Sequence, residues 1–139
     1  MSISVLIITH DNIGQVILDA AIKIIGSCPI QIRTVNIEMD CDYKTKLTNI
    51  TKIANELDSG DGLLVLTDLY GATPGNIATS LDTENIIIVA GLNLPMLIRV
   101  MNYHSLPLYE LSDKAVGGGK DGVLAYYSEK YNTDVAIKD

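Results

Sequence analysis

The sequence contains no phenylalanine and no tryptophan, and only 2 cysteines among its 139 residues. Without the largest aromatics, the interior must be filled by Ile, Leu, Val and Ala. Cys28 and Cys41 are too few and too far apart for a disulfide framework or a four-cysteine metal site, and read as reduced thiols. Basic charge is also scarce: 10 Lys and Arg stand against 17 Asp and Glu, a formal net charge of −7. Nucleic-acid binders normally carry a basic patch, so that class is set aside. No run approaches the ~18 apolar residues of a membrane helix. The chain enters an apolar run at once, without the basic segment and small-residue cleavage site of a secretory signal, and reads as cytoplasmic. With no repeat and no Pro-, Ser- or charge-rich linker, residues 1–139 read as one domain.

What is present is a regular alternation. Apolar, β-branched runs occur at residues 3–8, 32–37, 62–67 and 85–90, as buried parallel strands require. Helical spacing lies between them: Ile13, Val16, Ile17, Ala20, Ile24 and Ile25 share one face, and Tyr43, Leu47, Ile50, Ala54 and Leu57 another. A third helix is expected at Thr73-Pro74, with Thr73 as N-cap and Pro74 at the first helical position. A fourth is expected from about Leu94-Pro95 through Met101. The alternation implies a three-layer α/β sandwich, a mainly parallel, doubly wound sheet with helices on both faces and right-handed crossovers. The last third is less regular. Residues 106–111 read as a short strand or a loop, 112–131 as a helical stretch interrupted by Gly117-Gly118-Gly119, and 135–137 as a terminal strand.

In such a sheet, chemistry belongs at the carboxyl ends of the strands. His10 stands there, on the turn between the first strand and the first helix. It is one of 2 histidines. Asp68 closes the third run at the same end of the sheet. If the first and third strands are neighbours, the two side chains meet in one crevice. A carboxylate accepting the Nδ1 proton fixes the imidazole tautomer and leaves the Nε2 lone pair outward, which makes a nucleophile without a metal. Gly71 and Ala72 lead to Thr73, whose hydroxyl and the following amides offer donors to an anion. No Gly-Lys-Ser/Thr follows, so a nucleotide is not implied.

These residues carry a resemblance. The strand ending in Thr9-His10, the segment Thr67-Asp68-Leu69-Tyr70-Gly71-Ala72-Thr73-Pro74-Gly75-Asn76, and the segment Ala90-Gly91-Leu92-Asn93-Leu94-Pro95-Met96-Leu97 resemble the enzyme IIA component of the mannose-type sugar phosphotransferase system. The resemblance covers nearly all of the chain. It implies a phosphocarrier: a phosphotransferase in which His10 accepts a phosphoryl group from phospho-HPr and passes it to an enzyme IIB for carbohydrate uptake. It also implies Asp68 as the orienting carboxylate and Thr73, in place of the usual serine, as the hydroxyl beside the phosphate. No metal or diffusible cofactor is required, and the membrane is reached only indirectly, through a permease complex. A homodimer with an exchanged, antiparallel C-terminal edge strand is implied as well. The pattern departs at Tyr70, Ala72 and Gly75, where the family often has Trp, Gly and Phe.

Other residues read more plainly. Asp11 and Asn12 are expected to cap the first helix. His104 is expected at a helix end, the glycine run as a flexible helix junction, and the Leu94–Met101 apolar face as core or dimer interface. Two alternatives keep the phosphohistidine but change the outcome. One is a stand-alone regulator whose phosphorylation state controls a partner protein; the other is the phosphoryl donor subunit of a dihydroxyacetone kinase. A flavodoxin- or receiver-type binder fits poorly, because Thr9-His10 stands where a receiver needs an acidic pair.

Overall fold

Val5, Leu6, Ile7 and Ile8 are all completely buried. A strand exposes alternate residues to opposite faces, so such a run requires cover on both sides. The computed structural model, which describes residues 2–81 and 84–130, supplies that cover. Elements follow in the order β1 (Ser4–His10), α1 (Ile13–Ile25), β2 (Ile32–Ile37), α2 (Tyr43–Leu57), β3 (Leu63–Thr67), α3 (Thr73–Thr79), β4 (Ile86–Ala90), α4 (Leu94–Asn102) and α5 (Leu108–Asp121). The strands form a parallel sheet in the order β2-β1-β3-β4. The α/β three-layer expectation is met. No helix among the described residues is long and apolar enough to cross a membrane.

Alternation along the strands builds two cores. Val5 and Ile7 of β1 join Leu64 and Leu66 of β3 beneath Leu18 and Ala21 of α1, Leu97 and Val100 of α4, and Leu111 and Ala115 of α5. Leu6 and Ile8 join Leu63 and Val65 on the other face, under Ile50, Ala54 and Leu57 of α2 and Ile77 and Ala78 of α3. Each fully buried Leu or Ile contributes about 1.5–3 kcal/mol relative to exposure, so the aliphatic core needs no large aromatic.

The last third corrects the sequence reading. Leu108 begins a helix where residues 106–111 suggested a strand or loop, and α5 runs unbroken through Gly117, Gly118 and Gly119. These glycines are not a junction; two of them, Gly118 and Gly119, let α5 lie close against α4. A Cβ on Gly118 would fall 2.5 Å from Cβ of Arg99. On Gly119 it would fall 2.8 Å from Cε of Met96. Glycine costs about 1 kcal/mol of helix propensity, but the burial of Met96, Leu97, Val100 and Met101 against α5 outweighs it. The expected strand at 135–137 lies outside the described residues.

One helix start also differs, while α4 begins at Leu94 as expected. Thr73 is the first residue of α3, and extended Ala72 is its N-cap, so Pro74 moves to the second position. Assignments at helix ends shift by about a residue, but Ala72 accepts from the Asn76 amide, which fixes this one. At α4, Asn93 caps with its side chain, Oδ1 accepting from the Met96 amide at 2.9 Å.

The close contact yields a paired expectation. Gly117 faces only Arg99 Nη1 at 3.8 Å. Gly117→Ala is therefore expected to stabilise by up to ~1 kcal/mol through helix propensity. Gly118→Ala is expected to destabilise by about 1–2 kcal/mol net, overpacking exceeding that gain. Thermal unfolding of the two variants measures both signs.

Candidate active site

The strand order changes direction at β1: α1 carries the chain to β2 on one side, and α2 returns it to β3 on the other. The carboxyl ends of β1 and β3 therefore flank the topological switch point, where doubly wound sheets bind ligands. Ile8 pairs with Thr67, which brings the residues beyond each strand together. His10 is the last residue of β1 rather than a turn residue. Its Nδ1 lies 2.8 Å from Oδ2 of Asp68, and its backbone N–H donates to the same oxygen at 3.0 Å.

One carboxylate oxygen thus holds the residue by ring and main chain together. A carboxylate only accepts, so Nδ1 carries the hydrogen and Nε2 keeps its lone pair. The exposures differ in the useful direction, 43% for the His10 side chain and 14% for Asp68. The carboxylate is shielded and the imidazole is open. Oδ1 of Asp68 is buried without a partner among the described residues, so both bonds fall on Oδ2.

The turn after His10 is held from behind. Asp11 adopts a left-handed backbone, φ 44°, with its amide donating to the Ile37 carbonyl at 3.1 Å. Neither Asp11 nor Asn12 was the cap that the sequence suggested: Asn12 occupies the N-cap position of α1 but its side chain makes no capping bond. Thr9 does this work, its Oγ1 accepting from the buried Gly14 amide at 2.9 Å. Gly14 is needed for that approach, since a Cβ there would fall 2.5 Å from Cγ2 of Ile7.

His10 opens into a cavity of about 160 Å³ lined with Asp11, Ile37, Glu38, Met39 and Thr73. Thr73 thus lines the same cavity as His10. Gly71, at φ 82°, and Ala72 form the turn that delivers it and are not among the lining residues. His104 lies beyond the end of α4, half-buried and far along the chain from this cavity. Glu38 and Met39 were missed from the sequence. Their signal was available, because Ile37 pairs with His10 and whatever follows β2 must flank it. The Glu38 carboxyl is held below its usual range, first by a hydrogen bond from its own backbone and then by Lys46, 3.4 Å away.

Residues 4–135 match the family model EIIA-man, described as the PTS system fructose IIA component. The chain belongs to the EIIA-man family. The putative phosphotransferase enzyme IIA component YadI of Escherichia coli K12 is 32% identical over 94 residues, 66% of this chain and 64% of YadI. The mannose-specific EIIAB component of the PTS system in the same strain is 29% identical over 90% of this chain and 40% of its own length. The chain thus spans less than two thirds of either relative. The mannose/sorbose-specific IIA subunit of the phosphotransferase system from Enterococcus faecalis superposes with a TM-score of 0.81 at 24% identity, covering 92% of this chain and 97% of that one. That likeness supports the EIIA-man fold.

The Thr9 bond is open to a direct measurement. Thr9→Val keeps the shape but leaves the buried Gly14 N–H without its acceptor, and is expected to cost about 1–3 kcal/mol. Urea unfolding should show the midpoint lowered with the slope unchanged.

Proposed function

We propose that the protein is a cytoplasmic phosphocarrier that takes a phosphoryl group from phospho-HPr onto His10 and delivers it to an enzyme IIB for sugar uptake. The observation that carries this reading is the 2.8 Å contact between Nδ1 of His10 and Oδ2 of Asp68 beside an open Nε2. In the first step, the Nε2 lone pair attacks phosphorus as the P–N bond to the donor imidazole breaks. The electron pair of that bond returns to the donor nitrogen. The proton on Nδ1 of His10 stays in place, and the positive charge that phosphorylation puts on the ring is met by Asp68. The second step reverses the first, with the acceptor side chain as nucleophile. Thr73 supports the reading as a hydroxyl donor to the phosphoryl oxygens, with Gly71 and Ala72 setting its position.

The same family reading favours a homodimer. Two features agree with it: β4 is an edge strand of the described sheet, and Val123, Leu124 and Tyr126 beyond α5 are exposed apolar side chains. Sedimentation equilibrium is expected to give twice the chain mass. A monomer across the micromolar range would remove the dimer without touching the phosphocarrier.

The function itself is tested by intact-protein mass spectrometry after incubation with phosphoenolpyruvate, enzyme I and HPr. One acid-labile phosphoryl group is expected, absent in His10→Ala. Asp68→Asn is expected to slow its appearance by about 100-fold, the cost of roughly an ångström of misplacement in a reacting group. Normal labelling of His10→Ala would assign the site elsewhere.

A further inference from the structure

Helices disfavour glycine, yet Gly75 sits buried in the first turn of α3. A close approach explains it. A Cβ at this position would fall 2.7 Å from the carbonyl oxygen of Leu69 and 3.6 Å from Cα of Tyr70. Both are main-chain atoms, which cannot swing aside as the end of a side chain does. Gly75 is also where the resembled pattern often has Phe, and no such side chain fits this turn.

The contact matters because little else places the turn after β3. Among the described residues, the backbones of Leu69 and Tyr70 make no main-chain hydrogen bond. Their side chains are 59% and 80% exposed and give no anchor. Leu69 directly follows Asp68, whose Oδ1 is buried without a partner and whose Oδ2 gives both its contacts to His10. The aim of that carboxylate therefore follows its backbone. On one side the backbone is fixed by the sheet and by the Leu92 N–H, which donates to the Thr67 carbonyl at 3.0 Å. On the other it is set by the Leu69 carbonyl seated on Gly75.

We propose that Gly75 is a positioning residue for His10, acting through Leu69 and Asp68. The inference deepens the phosphocarrier reading above and rests on it for the link to transfer. Ordinary contact begins at 3.4 Å against the 2.7 Å found, so one added methyl pushes the Leu69 carbonyl back by about 0.7 Å. Carried to Asp68, that displacement stretches the 2.8 Å contact with Nδ1 to about 3.5 Å, past hydrogen-bond length. The imidazole then loses what fixes its tautomer. A fraction of molecules presents Nε2–H, which has no lone pair to offer phosphorus. Gly75 does not line the His10 cavity, so its influence passes only through the turn.

The test is 15N NMR of the imidazoles at about pH 9, above the ordinary histidine range, beside the rate of labelling by phospho-HPr. Wild-type His10, assigned by comparison with His10→Ala, is expected to show a pyrrole-type Nδ1 and a pyridine-type Nε2. Gly75→Ala is expected to show averaged shifts at both nitrogens and to label about tenfold more slowly. Ala78→Gly is the control: it weakens the same short helix without approaching the turn, and is expected to keep the wild-type shifts and rate. Circular dichroism checks folding, and trimethylamine N-oxide is added where a variant is partly unfolded. A folded Gly75→Ala with wild-type shifts or the wild-type rate overturns the proposal. So does one that stays unfolded in the osmolyte, or an Ala78→Gly that moves the shifts equally; Gly75 would then be structural only. A wild type that takes no label removes the phosphocarrier reading, while the imidazole shifts still decide for or against Gly75.

Discussion

Asp68 Oδ2 accepts from both the ring and the backbone of His10, and the geometry of the site depends on that double contact. It exists because β1 and β3 are parallel neighbours with Ile8 opposite Thr67, which sets Thr9 and His10, the last two residues of β1, against Asp68, the residue beyond β3. Were the strand order different, the same two side chains would sit at one end of the sheet without touching. The double contact also removes the main freedom of a histidine. A ring held through one nitrogen while its own main chain is held to the same oxygen has little room to exchange tautomers or swing away. If His10 is the nucleophile proposed above, it is held in place before any encounter, and less of the encounter energy goes into ordering it.

The rigid parts behind this contact are the two aliphatic cores. Ile7 and Thr9 face one layer and Ile8 the other, so β1 is gripped from both sides up to the residue before His10. Thr9 is completely buried and ties α1 to the strand, while Asp11 takes the left-handed conformation that lets the chain turn so soon. A non-glycine residue with positive φ is uncommon, and aspartate is among the few that tolerate it. The strain is local and is held by the Asp11 amide bond to Ile37, which also fixes the end of β2 beside the site.

Much of this was legible from residue order. β1 and β3 are nearly pure Ile, Val and Leu because both their faces are buried, so the carboxyl ends at His10 and Asp68 could be read off. Where the reading failed, a tertiary contact overrode a local preference. Gly117-Gly118-Gly119 argues for a break by propensity alone, yet two of these glycines are what permit α5 to meet Arg99 and Met96. Asp11 and Asn12 are good capping types at the right place, but the turn is too tight for them and the cap comes from Thr9, inside the preceding strand. Glu38 and Met39 belong to the site through strand pairing, a relation that no spacing rule along the chain expresses.

The negative rim of the cavity is at first sight a poor environment for a phosphoryl group. It becomes intelligible on the phosphocarrier proposed above, which must release what it accepts. Strong anion binding at His10 would stabilise the phosphorylated state as much as the transition state, and uniform binding of that kind does not speed onward transfer. A cavity lined by Asp11 and Glu38 stabilises the loaded ring less, and it also discourages free phosphate from occupying the site. In the proposed carrier, Asp68 would hold the imidazole in one orientation before and after transfer.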